Sequence, residues 1–192
     1  MPVDLRNEAA SNLRFIREMM ERTERVSTLS GVGGMVMGGI AFAAMAIAST
    51  IGDLTAQLTV WIGAAFSSVL AGAAASVHKA RRLGASMTND AARRFMTCLI
   101  PTLLVGAVLT LLLWETPQTH LLPALWMLLY GCGVLAAGTY AVTPIMHMGF
   151  CLLAVGMLMT TLPRGWENIS LGLGFGGLHT LFGWQVYRHH GG

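Results

Sequence analysis

Charge is scarce in this 192-residue chain: 11% of residues are Asp, Glu, Lys or Arg, against 54% hydrophobic. Soluble domains carry about 25% charged residues. So little charge, with a mean hydropathy of +0.61, predicts a membrane protein. Cysteine is sparse too. Cys98, Cys132 and Cys151 are odd in number, lack C-x-x-C spacing and fall in apolar runs. That pattern argues against a disulfide framework and predicts small packing residues. Catalytic motifs are missing: there is no H-E-x-x-H, no G-x-S-x-G, and no carboxylate pair within an apolar run. The formal net charge of +3 does not point to nucleic acid, because the basic residues border the apolar runs. An N-terminal signal peptide is not expected either. The first apolar run follows about 29 residues of charged sequence, not a short basic stretch.

What is present is a set of long uncharged runs. No Asp, Glu, Lys or Arg lies between Arg25 and Asp53, Asp53 and Lys79, Arg94 and Glu115, Glu115 and Arg164, or Glu167 and Arg188. A spanning helix needs roughly 20 apolar residues. Four runs fit one helix each. The run from Glu115 to Arg164 fits two, divided at Thr143-Pro144. The expected fold is an all-α membrane protein: a bundle over 30–188 with six transmembrane helices at about 31–51, 54–77, 95–114, 121–141, 144–162 and 168–187. Residues 78–94 form a basic loop, and a tail, 189–192, follows the last span. Pro101 lies within the third span and predicts a kink there.

Basic residues in short loops stay cytoplasmic. With the N-terminus inside, Arg6, Arg14, Arg17, Arg22, Arg25, Lys79, Arg81, Arg82, Arg93, Arg94 and Arg188 all fall inside, and only Arg164 falls outside. Both termini are then cytoplasmic. Trp114, Trp126, Trp166 and Trp184 mark span ends, where aromatic belts form; Trp61 sits deeper.

Residues 1–29 are expected to carry an amphipathic helix that is cytoplasmic or interfacial. Leu5, Ala9, Leu13, Ile16 and Met20 follow helical spacing. Arg14, Glu18, Arg22 and Arg17, Glu21, Arg25 form i,i+4 charge ladders on the other face. Acidic and basic residues nearly balance, which favours protein docking over attraction to anionic lipid. The docking surface then comprises Arg14, Arg17, Arg22 and Arg25 with Lys79, Arg81, Arg82, Arg93 and Arg94 of the basic loop.

Near the C-terminus the chain reads LGLGFGGLHTLFGW. Gly172, Gly174 and Gly177 match the dinucleotide fingerprint G-x-G-x-x-G, but no strand precedes it and no acid follows at the required distance. Helix packing is the expected use. Gly172 and Gly176 form G-x-x-x-G with Gly183 seven residues on; Gly34 and Gly38 form another, with Gly31 before them. The first and last spans are expected to pair through these faces, within one chain or between copies.

His179 falls at membrane depth, where an ionisable group is a functional candidate. A hydrogen-bonded structural histidine, a proton relay or ligand contact, and a haem ligand paired with His147 all remain open. No metal site is expected. The thirteen methionines are scattered, not clustered as copper ligands.

NLRFIREMMERTERVSTLSGVGGMVMGGIAF and LGFGGLHTLFG together resemble a group of small bacterial inner-membrane proteins of uncharacterised function. They share a charged N-terminal helix, a glycine-rich first span and a closing glycine-histidine span. The resemblance implies the bacterial cytoplasmic membrane and carries no catalytic assignment. The expected function is that of a non-enzymatic accessory, scaffolding or regulatory subunit, whose partners are the lipid bilayer and another membrane protein or a second copy. Its alternatives are a small-solute transporter or channel and a haem-binding electron-transfer subunit. No cofactor other than that possible haem is expected.

Overall fold

The computed structural model describes residues 11–16, 29–84 and 90–190, and every regular element among them is helical. Residues 11–16 are helical and exposed, Leu13, Phe15 and Ile16 included. The rest of the helix expected within 1–29, with Arg17, Arg22 and Arg25, lies outside the described residues.

Six longer helical elements follow. They are α1 (Gly31–Ala48), α2 (Leu54–Leu83), α3 (Asp90–Leu113), α4 (Leu122–Gly138, entered through a 3₁₀ turn at Thr119–Leu121), α5 (Thr143–Met159) and α6. The last is three consecutive runs: Glu167–Leu171, a π-helical turn at Gly172–Gly177, and Leu178–His190. Four stretches are long and apolar enough to cross a membrane: Gly31–Ala48, Leu54–Leu83, Ala91–Leu113 and Thr119–Gly138.

Local chemistry sets the helix ends. Ser30 caps α1 by accepting from the Gly33 N–H at 3.1 Å, and Asp53 caps α2 by accepting from Ala56 N–H at 2.7 Å. The helix formers Lys79, Ala80, Arg81, Arg82 and Leu83 carry α2 past the expected end at 77. There Arg81 and Arg82 meet the negative end of the helix dipole, and Gly84 (φ 64°) takes the left-handed cap. With α3 starting at Asp90, the described residues of the basic segment, 78–84 and 90–94, are helix apart from Gly84, not loop. The helix α3 runs unbroken past Pro101. At the other end α6 continues to His190, so the expected tail is partly helical.

The helices stand in a row. In spatial order α2 packs on α1, α1 on α6, α6 on α5 and more lightly on α4, α5 on α4, and α4 on α3. Contacts along the seams make successive helices alternate in direction. The start of α1 lies by the ends of α2 and α6, through Ser76 and Tyr187. Gly138 faces Met146 while Gly156 faces Leu128 across α4 and α5. Thr102 faces Gly133 while Thr110 meets Trp126 across α3 and α4. Arg81, Arg82, Arg93, Arg94 and Arg188 thus gather at one end of the row and Arg164 stands at the other.

The core follows the middle of the row. Ala41, Ala44, Ala48, Met127, Val134, Leu152 and Leu171 are buried there with Trp61 and Phe182.

The glycine seam and the His179 clasp

The helices α1 and α6 meet backbone to backbone. A Cβ built on Gly34 would stand 3.0 Å from Gly183 Cα, and one on Gly183 would stand 2.8 Å from Met35 N. A Cβ on Gly38 would lie 2.7 Å from the Gly176 carbonyl oxygen, and one on Gly31 would strike the Tyr187 backbone. Further along, Gly176 receives the Phe42 ring and Gly172 the Met45 side chain. Gly31, Gly34, Gly38, Gly172, Gly176 and Gly183 thus line one intramolecular seam. Gly39, one residue from Gly38, has nothing within 4 Å of its Cβ position. Without a hydrophobic drive between helices in lipid, such close approach supplies the van der Waals contact that holds them.

Four of the six residues in the π-turn of α6 are glycine, and π-turns inside α-helices mark sites of special geometry. Two successive side chains fold back on its carbonyls: His179 Nδ1 lies 2.8 Å from Phe175 O, and Thr180 Oγ1 donates to Gly176 O at 2.8 Å. A carbonyl only accepts, so Nδ1 carries the ring proton. In a neutral ring Nε2 is then the acceptor for the Tyr130 hydroxyl of α4, which lies 2.9 Å away. The two rings stack at 5.5 Å, and Phe175 sits edge-on to Tyr130 at 5.5 Å. His179 is 5% exposed. One side chain therefore ties α6 to α4 with both ring nitrogens engaged.

His147 is exposed, whereas His179 is enclosed. The two histidines expected as a haem pair thus have different surroundings, and both ring nitrogens of His179 are engaged within the fold. Among the described residues no three His, Cys, Asp or Glu side chains converge to hold an ion.

Lys79, expected on a docking surface, is 4% exposed. Because α2 outlasts the expected span, its Nζ donates to Leu29 O at 3.2 Å, beside the start of α1. Arg14, Arg81, Arg82, Arg93 and Arg94 are exposed. Arg94 lies over the Tyr140 ring at 5.9 Å, and Arg188 over Trp184 at 4.8 Å.

A second polar cluster has no local signature in the sequence. The Trp61 indole N–H donates to Asn168 Oδ1 at 2.8 Å, Asn168 Nδ2 donates to Gln57 Oε1 at 2.8 Å, and Gln57 Nε2 donates to Ile51 O at 2.6 Å. It joins the starts of α2 and α6. On the flank, Trp126 Nε1 donates to Thr110 Oγ1 at 2.8 Å, which in turn donates to Gly106 O. Tyr130, Gln57 and Asn168 are the residues a sequence reading passes over; their only signal is polarity within or beside apolar runs.

The architecture is that of an α-helical membrane protein with an intramolecular glycine seam and a histidine clasp. No family model matches the chain, and no curated protein or solved structure is similar to it.

Proposed function

We propose that the chain is a six-span, non-enzymatic accessory or scaffolding subunit of the bacterial cytoplasmic membrane, with both termini cytoplasmic. The 17 residues of α5 span about 26 Å, close to a hydrocarbon core of about 30 Å, and α6 runs through its π-turn without a break. Together with the four longer stretches they make six. The gathering of exposed arginines at one end supports the orientation and offers a cytoplasmic docking surface.

One observation carries the accessory role. The helices at the two flanks of the row are apolar yet hardly packed: 11% of the α2 span and 6% of the α3 span is buried, against 44% for the span containing α4. On α3, Leu104, Val108, Leu111 and Leu112 form one exposed stripe; on α2, Phe66, Val69 and Leu70 form another. Lipid alone satisfies such faces, but a second membrane protein laid along them gains helix packing in addition. A transport role draws no comparable support, because His179 is already engaged on both nitrogens.

Purification of the full chain from native membranes in mild detergent tests the proposal. A stoichiometric membrane partner is expected, and the double substitution Leu104→Ala, Leu111→Ala should release it while the chain stays folded. A lone monomer, or a partner indifferent to the α3 stripe, overturns it.

A further inference from the structure

At the end of the row opposite the arginine cluster, a cavity of about 260 Å³ opens between the start of α4, the end of α5 and the start of α6. Its lining includes His120, Pro123, Arg164, Trp166, Glu167 and Ser170. The volume lies just below the range for drug-sized ligands, so the space takes a headgroup-sized fragment, not a whole lipid.

Three features of the lining point to a ligand. Ser170 is 7% exposed overall and borders the cavity, to which its hydroxyl is open and not sealed in the core. Arg164 and Glu167 line the same space with opposite charges, and neither has an ion-pair partner among the described residues. Glu167 spends one carboxylate oxygen, Oε2, on the Gly165 N–H at 2.7 Å, which fixes the carboxylate and leaves Oε1 free. From the cavity mouth, Trp166, Ile169 and Leu173 make an exposed apolar stripe down α6, at i, i+3 and i+7.

We infer that this cavity binds the zwitterionic headgroup of a phosphoethanolamine lipid, with its acyl chain along the Trp166–Ile169–Leu173 stripe. The Arg164 guanidinium presents paired N–H donors suited to a phosphate, and Ser170 adds a hydroxyl donor. Glu167 Oε1 accepts from the primary ammonium, and the Trp166 ring face attracts the same cation. A purely anionic lipid leaves Glu167 facing like charge; a quaternary ammonium offers that carboxylate no N–H. Free phosphoethanolamine shares the headgroup chemistry, but the apolar stripe favours the lipid. The inference rests on the proposal that α5 and α6 are spans, which sets the cavity at the membrane surface.

Native mass spectrometry of the full chain, from nanodiscs holding equal phosphatidylethanolamine, phosphatidylcholine and phosphatidylglycerol, tests it. Phosphatidylethanolamine should be retained about tenfold over the other two, and Arg164→Gln and Glu167→Gln should each lower that retention by about tenfold, the worth of one charge-assisted contact. Arg188→Gln, at the other end of the row, controls for general electrostatics and should change nothing. Circular dichroism and elution profile verify the fold of each variant. Equal retention of the three lipids, or variants that retain lipid like the parent, overturns the inference. So does binding of free phosphoethanolamine by delipidated protein that retains no lipid, which reassigns the site to a soluble zwitterion. If impermeant labels reach both ends of the row from the same side of the membrane, the six-span proposal fails instead.

Discussion

His179 is held in one tautomer from both sides, by Phe175 O and by the Tyr130 hydroxyl. Interhelical hydrogen bonds in membranes average about 0.6 kcal/mol and reach about 1.7. A double-mutant cycle of Tyr130→Phe and His179→Phe, read by SDS unfolding, should give a coupling energy in that range. A coupling near zero would mean that the two rings merely stack. Neighbouring glycines allow a sharper contrast. Gly38→Ala drives a methyl against the Gly176 carbonyl and the Thr180 side chain, so it should cost on the order of 1–3 kcal/mol. Gly39→Ala meets open space and should be neutral, or stabilise by up to about 1 kcal/mol through helix propensity; the same unfolding assay ranks the two. At this scale the sequence was only partly readable. G-x-x-x-G spacing marks a close-packing face, and a histidine in an uncharged run marks a site. Tyr130 is 49 residues away from His179 in sequence, and nothing in its local context reveals that α4 and α6 set the two rings at one height.

Helices were legible because hydrophobic runs are one-dimensional and need no knowledge of neighbours. Their ends were less so. The expected stop of α2 at 77 followed the loss of apolar character, whereas the chain stops where Gly84 allows a left-handed cap. The extra turns carry Lys79 to the Leu29 carbonyl, which turns a presumed surface cation into a buried tie between α1 and α2. Between α2 and α6 the tie is Asn168. Asn168→Leu leaves the nearly buried Trp61 N–H without its acceptor and should cost about 1–3 kcal/mol. Gln57→Leu leaves that bond intact and should cost less. Thermal unfolding of the two variants in one detergent distinguishes them, and equal losses would count against Asn168 as the centre of the cluster.

At the scale of the whole molecule, six helices alternate in direction, so labels at the two ends of the row should fall on opposite faces of the membrane. A cysteine at Arg164 should react with an impermeant maleimide in intact cells. One at Arg82 should react only after permeabilisation, the native cysteines having been replaced. Reaction of both in intact cells would defeat the proposed topology. The row itself was not legible. Hydropathy yields the number and length of apolar runs, but the order α2, α1, α6, then α5, α4 and α3 depends on which surfaces are complementary, and that is a property of pairs.

The glycine seam joins the first long helix to the last. During synthesis α1 leaves the ribosome early, while its glycine face finds no mate until α6 has been made. Until then the nascent chain holds a hairpin of α1 and α2 whose narrow backbone groove faces lipid or an insertion factor. A chain truncated before Glu167 should therefore insert yet never mature, and pulse-chase degradation should show it cleared far faster than the full-length protein. Within the seam, α6 thus supplies the one surface that closes the groove on α1.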